Sequence, residues 1–384
     1  MRESAAAKPA ASPRPIAHYA KWLAAGLAAV LAIGGLAVLV DSRDAPNERP
    51  PAPRVTEAAP VPPPSAAHYT GSQVCAACHE KEYQAWRGSH HALAMQEASD
   101  QSVLGDFSGA KFSHAGVTST FFRRDGKFYV NTDGPDGNLA DFEVKYTFGL
   151  TPLQQYLIPF PDGRMQALGI AWDSRPKGQG GQRWFHLYPK DTPKPGEILH
   201  WTGRDQTWNY QCAECHSTDL RKNYDLAGNR YATAWAEISV GCEACHGPGS
   251  RHVEQARAGK PMDGNKGFPL SLTRAAGAWT VRDGQRGIAE WTGPARGHTE
   301  VEACARCHAR RGVSADPYTY GKPLPDTHTP ALLSDSLYYA DGQIQGEVFE
   351  YASFLQSRMH RVGVTCSDCH EPHGIKLRAE GNAV

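Results

Sequence analysis

The sequence predicts a mainly helical and irregular fold that packs around bound groups, with a small antiparallel β-insertion and an N-terminal membrane-spanning helix. Three observations lead there. The 384 residues are 40% hydrophobic with a mean hydropathy of −0.51, and they include 38 glycines and 28 prolines. A chain so rich in turns needs something besides side chains to pack against, such as disulfides, metals or cofactors. All ten cysteines fall in five copies of one pentapeptide, CxxCH. Near the N-terminus, Trp22–Val40 runs without a charge. The formal net charge is zero and the pI about 7.3, so no basic excess points to nucleic acid and no acidic tail to a solvating segment.

The pentapeptides are Cys75-Ala-Ala-Cys78-His79, Cys212-Ala-Glu-Cys215-His216, Cys242-Glu-Ala-Cys245-His246, Cys304-Ala-Arg-Cys307-His308 and Cys366-Ser-Asp-Cys369-His370. Thiols three residues apart lie about one helical turn from each other, so both reach one edge of a planar macrocycle. The histidine, four residues after the first cysteine, shares that face and directs its imidazole at a central metal. This is the pattern of c-type haem attachment. It calls for five covalently bound haem c groups and their iron, with the ten cysteines as thioether donors. His79, His216, His246, His308 and His370 are then the proximal ligands. Zinc fits poorly, because a histidine abutting the second cysteine suits a tetrahedral site badly. A thioredoxin-like reading lacks its βαβ context. A disulfide framework would have to pair five identical clusters arbitrarily.

Along the chain, residues 1–21 are polar and net basic, with Arg2, Lys8, Arg14 and Lys21 against Glu3. The run at 22–40 is long enough to span a bilayer as a helix. The basic residues before it put the N-terminus in the cytoplasm and the rest outside. We therefore expect a transmembrane signal-anchor in the inner (cytoplasmic) membrane, single-pass, with the body in the periplasm or otherwise outside the cytoplasm. The competing reading is a cleaved signal peptide and a soluble periplasmic protein, although Val38-Leu39-Val40-Asp41 makes a poor cleavage site. Residues 41–68 form a proline-rich linker, with eight prolines between Ala45 and Pro64, which reads as a semi-rigid spacer.

The first haem-binding segment covers 69–111 and opens a helix expected from Ser72 to Ser99. Residues 112–200 change texture. Short runs rich in β-branched and aromatic residues alternate with turn signals, among them Asp125-Gly126 between two alternating runs, a hairpin signal. They predict a β-rich insertion of five or six antiparallel strands between the first and second motifs. Residues 201–384 form a four-haem region with short helices around each motif. There His298 precedes Cys304, and His360 precedes Cys366, by the same spacing, which hints at an internal repeat.

What fills the sixth position on each iron decides between a wire and a catalyst, because a bis-histidine haem passes electrons while an open one can bind a small molecule. Outside the motifs and beyond His18, the candidates are histidines 68, 90, 91, 114, 186, 200, 252, 298, 328, 360 and 373. Those near motifs rank first: His91, His252, His298, His360 and His373. His186 and His200 flank the β-insertion and rank lower. Met95, Met165, Met262 and Met359 are weaker alternatives.

With these residues in hand, the body resembles the cytochrome c554-type multihaem family, and in particular long bacterial members whose haem domain precedes tetratricopeptide repeats. The matching segments run from Tyr69 to Cys75, on through Trp86, and over Ser89-His-His91. They continue at Gln182–His186, His200–Asp205, Cys212–Thr218, Gly241–Gly249 and Ser357–His373. The resemblance implies a mainly α/irregular multihaem cytochrome c fold with closely spaced haem pairs. It also implies His91, His252, His360 and His373 as ligands, and electron transfer as the general role. In such relatives the stretch matching Lys376–Val384 leads into a further CxxCH and helical repeats, whereas this sequence ends at Val384. It is then either a truncated version or a shorter protein that dispenses with the last haem.

Two function classes follow. The first is an exported, membrane-anchored pentahaem c-type cytochrome. It would carry electrons between redox partner proteins or a membrane quinol-oxidising complex and an acceptor, with no nucleic acid involved. The second is a multihaem oxidoreductase with one five-coordinate haem acting on a small nitrogen or sulfur species. Its site would combine an open iron with donors such as His200, Arg204 or Tyr210.

Overall fold

A computed structural model of the chain describes residues 66–262, 264–281, 289–345 and 349–378. The chain divides into two units, Met1–Pro64 and Ser65–Val384, and all described residues belong to the second. The spanning run expected at Trp22–Val40 lies outside them. Among the described residues no helix is long and apolar enough to cross a membrane. The single-pass inner-membrane placement is corrected accordingly, since nothing described supplies a span.

The described chain opens with α1 (Ser72–Ala76) and α2 (Glu80–Arg87). The single helix expected from Ser72 to Ser99 does not form. After Arg87 the backbone turns at Gly88, and Met95 enters strand β1 (Met95–Glu97). Met95 is buried and pairs with Phe148, so apolar burial in a sheet overrides helical periodicity there.

Two antiparallel sheets follow. Strands β2 (Ala110–His114), β3 (Val117–Arg124), β4 (Lys127–Asp133) and β5 (Leu139–Val144) make a meander in sequence order. Asp125 and Gly126, at φ 53° and 76°, form the two-residue turn that closes Arg124 onto Lys127. A turn with both φ positive matches the twist of the strands it joins. In β3 and β4 the alternation is strict: Ser119 and Phe121, then Phe128, Val130 and Thr132, are buried. The second sheet holds β6 (Tyr146–Phe148), β7 (Leu153–Pro159), β8 (Met165–Ala167), β9 (Ile170–Asp173) and β10 (Arg183–His186). Its order is β1-β6-β7-β9-β10, with β8 paired to β7.

The remainder is turn-rich. Short helices of four to ten residues carry the motifs and their approaches: α3 (Trp208–Gln211), α4 (Ala213–His216), α5 (Cys242–His246), α6 (Ser250–Arg257) and α7 (Thr299–His308) come first. Then come α8 (Tyr351–Gln356), α9 (Arg358–Arg361) and α10 (Cys366–Cys369). Two-stranded ribbons separate them, including β11 (Tyr224–Asp225) with β12 (Arg230–Tyr231).

The fold is therefore not mainly helical, and the β portion is no small insertion. The longest described helix has ten residues. The main apolar cluster draws Phe121, Phe128, Val130, Tyr156, Trp172 and Trp184 from the two sheets and Phe107 and Trp201 from the segments beside them. A second cluster joins that region to α3 and α4 through Trp208 and Ala213. Around the fourth and fifth motifs the core shrinks to Val301, Ala305, Ala309, Leu324 and Tyr351. The physical reason is where the large side chains fall. Aromatic and β-branched residues concentrate in the alternating runs, while each CxxCH dictates only one or two helical turns before the chain reverses.

Candidate haem centres

Each motif is built on a tight turn of helix. In the first, the amides of Cys78 and His79 both donate to the Cys75 carbonyl, at 3.2 and 2.9 Å. The second and third run through α4 and α5, and the fourth ends α7. The fifth is locked by a capping box in which Thr365 and Asp368 satisfy each other's backbone amides. There His370 leaves the helix in an extended conformation, φ −107° and ψ 144°. All ten cysteines are free thiols, and each motif's cysteine pair is held at one helical turn.

The histidines meet across the sequence. Rings of His79 and His252 lie 6.1 Å apart between centroids, those of His91 and His308 6.3 Å, and those of His246 and His373 6.5 Å. Metal–imidazole bonds of about 2 Å, plus about 1.2 Å from nitrogen to ring centre, put trans imidazole centroids about 6.3 Å apart. Three motif histidines thus each face a non-motif histidine at the spacing of a bis-histidine iron. Other contacts hold the Nδ1 atoms. His252 Nδ1 lies 2.9 Å from the Lys266 carbonyl, His216 Nδ1 3.2 Å from that of Ala94, and His373 Nδ1 3.0 Å from Glu371 Oε1. A hydrogen bond at Nδ1 fixes the tautomer and leaves Nε2 for a metal. Burial, then the neighbouring His308 and His90, pushes His91 down to about 4. Burial, then His373, His79 and His252, does the same to His246. Both are neutral at physiological pH, as a ligand must be.

The other expected ligands stand differently. Opposite His216 the described rings include Phe148, edge-on at 5.7 Å, and no histidine. His298 and His360 touch each other, His360 Nε2 lying 3.1 Å from His298 Nδ1 with centroids 4.9 Å apart, which leaves no room for iron between them. They line a surface pocket of about 280 Å³ with Trp291, Arg296 and Arg361. His200 spends both ring nitrogens on Asp133 (3.0 Å) and Thr202 (2.8 Å), and His114 stacks on His186 at 4.0 Å, so these serve the β region.

The motifs also touch one another. Cys215 Sγ of the second motif lies 4.0 Å from the Arg306 carbonyl of the fourth. Residues between the cysteines bind motif to motif. Glu243, in the third motif, accepts from the amides of Thr70, Gly71 and Gly249 at 2.7–2.9 Å and so anchors the approach to the first. Glu300 of α7 accepts from the amide and hydroxyl of Ser367 at 2.6 and 2.8 Å, tying the fourth motif to the fifth. Glu214 of the second motif faces Arg306 of the fourth across a buried contact with Arg311 and His328. Sequence reading missed this set. The signal was there in opposite charges at the same position of two pentapeptides, but nothing in one dimension says that those two meet.

The residues fit covalently held haem. Among the described residues no group of three or more His, Cys, Asp or Glu side chains is placed to hold a bare metal ion, which is what a Cys–His zinc site requires. Repeated CxxCH turns whose histidines face other histidines across an iron-sized gap define a multihaem c-type cytochrome, a haem-based electron-transfer protein. The family described as cytochrome c554 and c-prime matches the chain at residues 74–113 and 188–247. They contain the first three motifs and His91. Among solved structures, the chain is similar to the outer cell wall cytochrome OcwA, at 18% identity and a TM-score of 0.47. That likeness covers 82% of this chain and 59% of the other, so the chain spans less than two thirds of that protein's length. No curated protein sequence matches the chain.

Proposed function

We propose that the chain carries five haem c groups, one at each pentapeptide, and transfers electrons between redox partner proteins. Cys75 and Cys78, Cys212 and Cys215, Cys242 and Cys245, Cys304 and Cys307, and Cys366 and Cys369 are the attachment pairs, with the following histidine as proximal ligand. His252 serves the haem of His79, His91 that of His308, and His373 that of His246. The supporting observation is the trio of imidazole pairs at 6.1–6.5 Å. A six-coordinate iron between two fixed imidazoles reorganises little on changing oxidation state, which suits electron transfer. The haem supplies the redox chemistry. The chain orients these imidazoles, and burial keeps His91 and His246 neutral.

A second reading concerns His216. Its Nδ1 is tied to the Ala94 carbonyl while no described histidine stands opposite its ring, and Phe148 lies edge-on to it. A haem held by Cys212, Cys215 and His216 would then leave its iron accessible to a small nitrogen or sulfur species.

Both readings are tested on holoprotein matured in a host competent for c-type assembly. Mass spectrometry is expected to give the polypeptide plus five haems, and EPR to give low-spin signals for at least three. Bare polypeptide mass would end both readings. Absence of any high-spin signal responsive to nitrite or hydroxylamine would remove the second and leave the first.

A further inference from the structure

The contact between the second and fourth motifs holds a charge imbalance. Glu214 and Arg306 occupy the same position in their pentapeptides, immediately before the second cysteine. Arg306 Nε lies 3.7 Å from Glu214 Oε1, and Arg311 Nη1 lies 3.1 Å from Glu214 Oε2. His328 Nε2 donates to Glu214 Oε1 at 2.9 Å, while its Nδ1 pairs with the Thr327 hydroxyl at the same distance. The side chains of Arg306, Arg311, Glu214 and His328 are 9%, 9%, 11% and 1% exposed. Two permanently charged guanidinium groups therefore share one carboxylate, away from solvent. The rings of Tyr318 and Tyr320 cover Arg306, at 4.7 and 5.7 Å from its guanidinium carbon. Arg306 Nε is buried without a hydrogen-bond partner, and Glu214 Oε2 meets Arg311 off hydrogen-bond geometry. A structural ion pair would balance its charges and satisfy its donors. Here Arg306 Nη1 donates to Tyr320 Oη at 3.2 Å and Arg311 Nε to the Arg306 carbonyl at 2.9 Å, yet Arg306 Nε stays unmatched and two guanidinium groups face one carboxylate. The cluster also lies against an attachment sulfur: Arg311 Nη2 is 3.5 Å from Cys215 Sγ, which is 4.0 Å from the Arg306 carbonyl.

We propose that Arg306, Arg311 and Glu214 are positioning residues that set the reduction potentials at the second and fourth motifs. The two cations favour the reduced state and the carboxylate opposes them. The inference rests on haem attachment at those motifs. Adding one electron lowers the local charge by one, so a fixed cation nearby favours the reduced form and a fixed anion disfavours it. A unit charge within about 10 Å, at an effective dielectric of about 20, changes that equilibrium about tenfold, or about 59 mV for a one-electron couple. Burial shields the effect from salt, unlike that of a surface charge.

The test is spectroelectrochemical titration of the haem-loaded full chain and of Glu214→Gln, Arg311→Met and Arg311→Lys, with haem content verified by mass. Glu214→Gln is expected to raise two of the midpoint potentials, and Arg311→Met to lower two, each about tenfold in equilibrium. Arg311→Lys leaves them near wild type, and the shifts persist when ionic strength is raised. A structural disturbance has no reason to reverse sign between Glu214→Gln and Arg311→Met. Shifts in the same direction, or a Glu214→Gln chain with all potentials within threefold of wild type, overturn the inference. Should Arg311→Met fail to fold, the sign of the nearly isosteric Glu214→Gln decides alone. A wild-type chain that carries no haem at these motifs would instead sink the reading beneath.

Discussion

At the scale of single residues, polar side chains between and beside the cysteines do more than space them. Glu243 is 1% exposed and accepts from three backbone amides belonging to two separate loops. Leaving buried donors unmatched costs about 1–3 kcal/mol each, so Glu243→Ala is expected to cost about 3 kcal/mol or more. Denaturant melts of the holoprotein check this, and a loss below about 1 kcal/mol would show that water replaces the carboxylate. The Asp133–His200 pair gives a pH prediction. Burial raises the Asp133 carboxyl, but the hydrogen bond and charge of His200 outweigh it and hold the group below its ordinary 3.8. A depressed carboxylate contributes stability above its unfolded value and loses that contribution as pH falls through its folded one. Asp133→Asn is therefore less stable at neutral pH, and its gap to wild type narrows as pH drops below 3.8. Melting temperatures between pH 6 and about 2 follow the narrowing; a constant gap contradicts it.

At the scale of elements, the β-sheets serve as a frame for the second motif. The turn between β7 and β8 presents the Gly163 carbonyl and the Met165 amide to Asn209 of α3, at 3.2 and 2.7 Å, and Asn209 also donates to Thr233 at 2.8 Å. Gly163 needs its positive φ of 78° and stands against the Tyr231 backbone of β12, where a Cβ would collide. Helix α3 leads through Cys212 directly into α4, so the sheet determines where the second pentapeptide points. Asn209→Ala removes three hydrogen bonds at a fully buried position and is expected to cost about 2 kcal/mol or more. The loss should show as lower thermal stability and reduced haem content. Full haem loading at unchanged stability would mean that the frame does not depend on Asn209.

For the whole molecule, cohesion is unevenly distributed. The two sheets supply most of the large apolar clusters, while among the described residues the region of the fourth and fifth motifs has one cluster of five buried apolar residues. A core that small cannot offset the chain entropy of so many ordered residues, so haem is expected to complete that part of the interior. Chain produced without haem attachment should yield, under limited proteolysis, a resistant fragment covering roughly residues 95–210, while the segment beyond about residue 289 is digested. Uniform digestion would mean that the sheets do not hold together alone. Uniform resistance would mean that haem is not needed for cohesion.

Much of the centre was legible in one dimension, because covalent attachment confines the chemistry to a local spacing. Two thiols and an imidazole must reach one macrocycle from five consecutive residues, and no tertiary arrangement relaxes that requirement. His91, His252 and His373 could also be singled out by their nearness to motifs. Which motif histidine each one faces could not, because His91 meets His308 and His373 meets His246 across long stretches of sequence. The equal spacing of His298 and His360 before their motifs pointed to a ligand role, yet the fold brings the two rings into contact with each other. The balance of helix and strand was misjudged, because the periodicity after the first motif looks helical until Met95 finds a sheet to enter.

The sequence by itself determined the attachment chemistry, the number of pentapeptides and the Asp125-Gly126 turn, all properties of neighbouring residues. Only the tertiary structure decided which imidazoles face one another, which interior is sheet, and that Glu214 meets Arg306 and Arg311 out of water. Those depend on contacts between distant segments, where packing and desolvation rather than local spacing choose the partners.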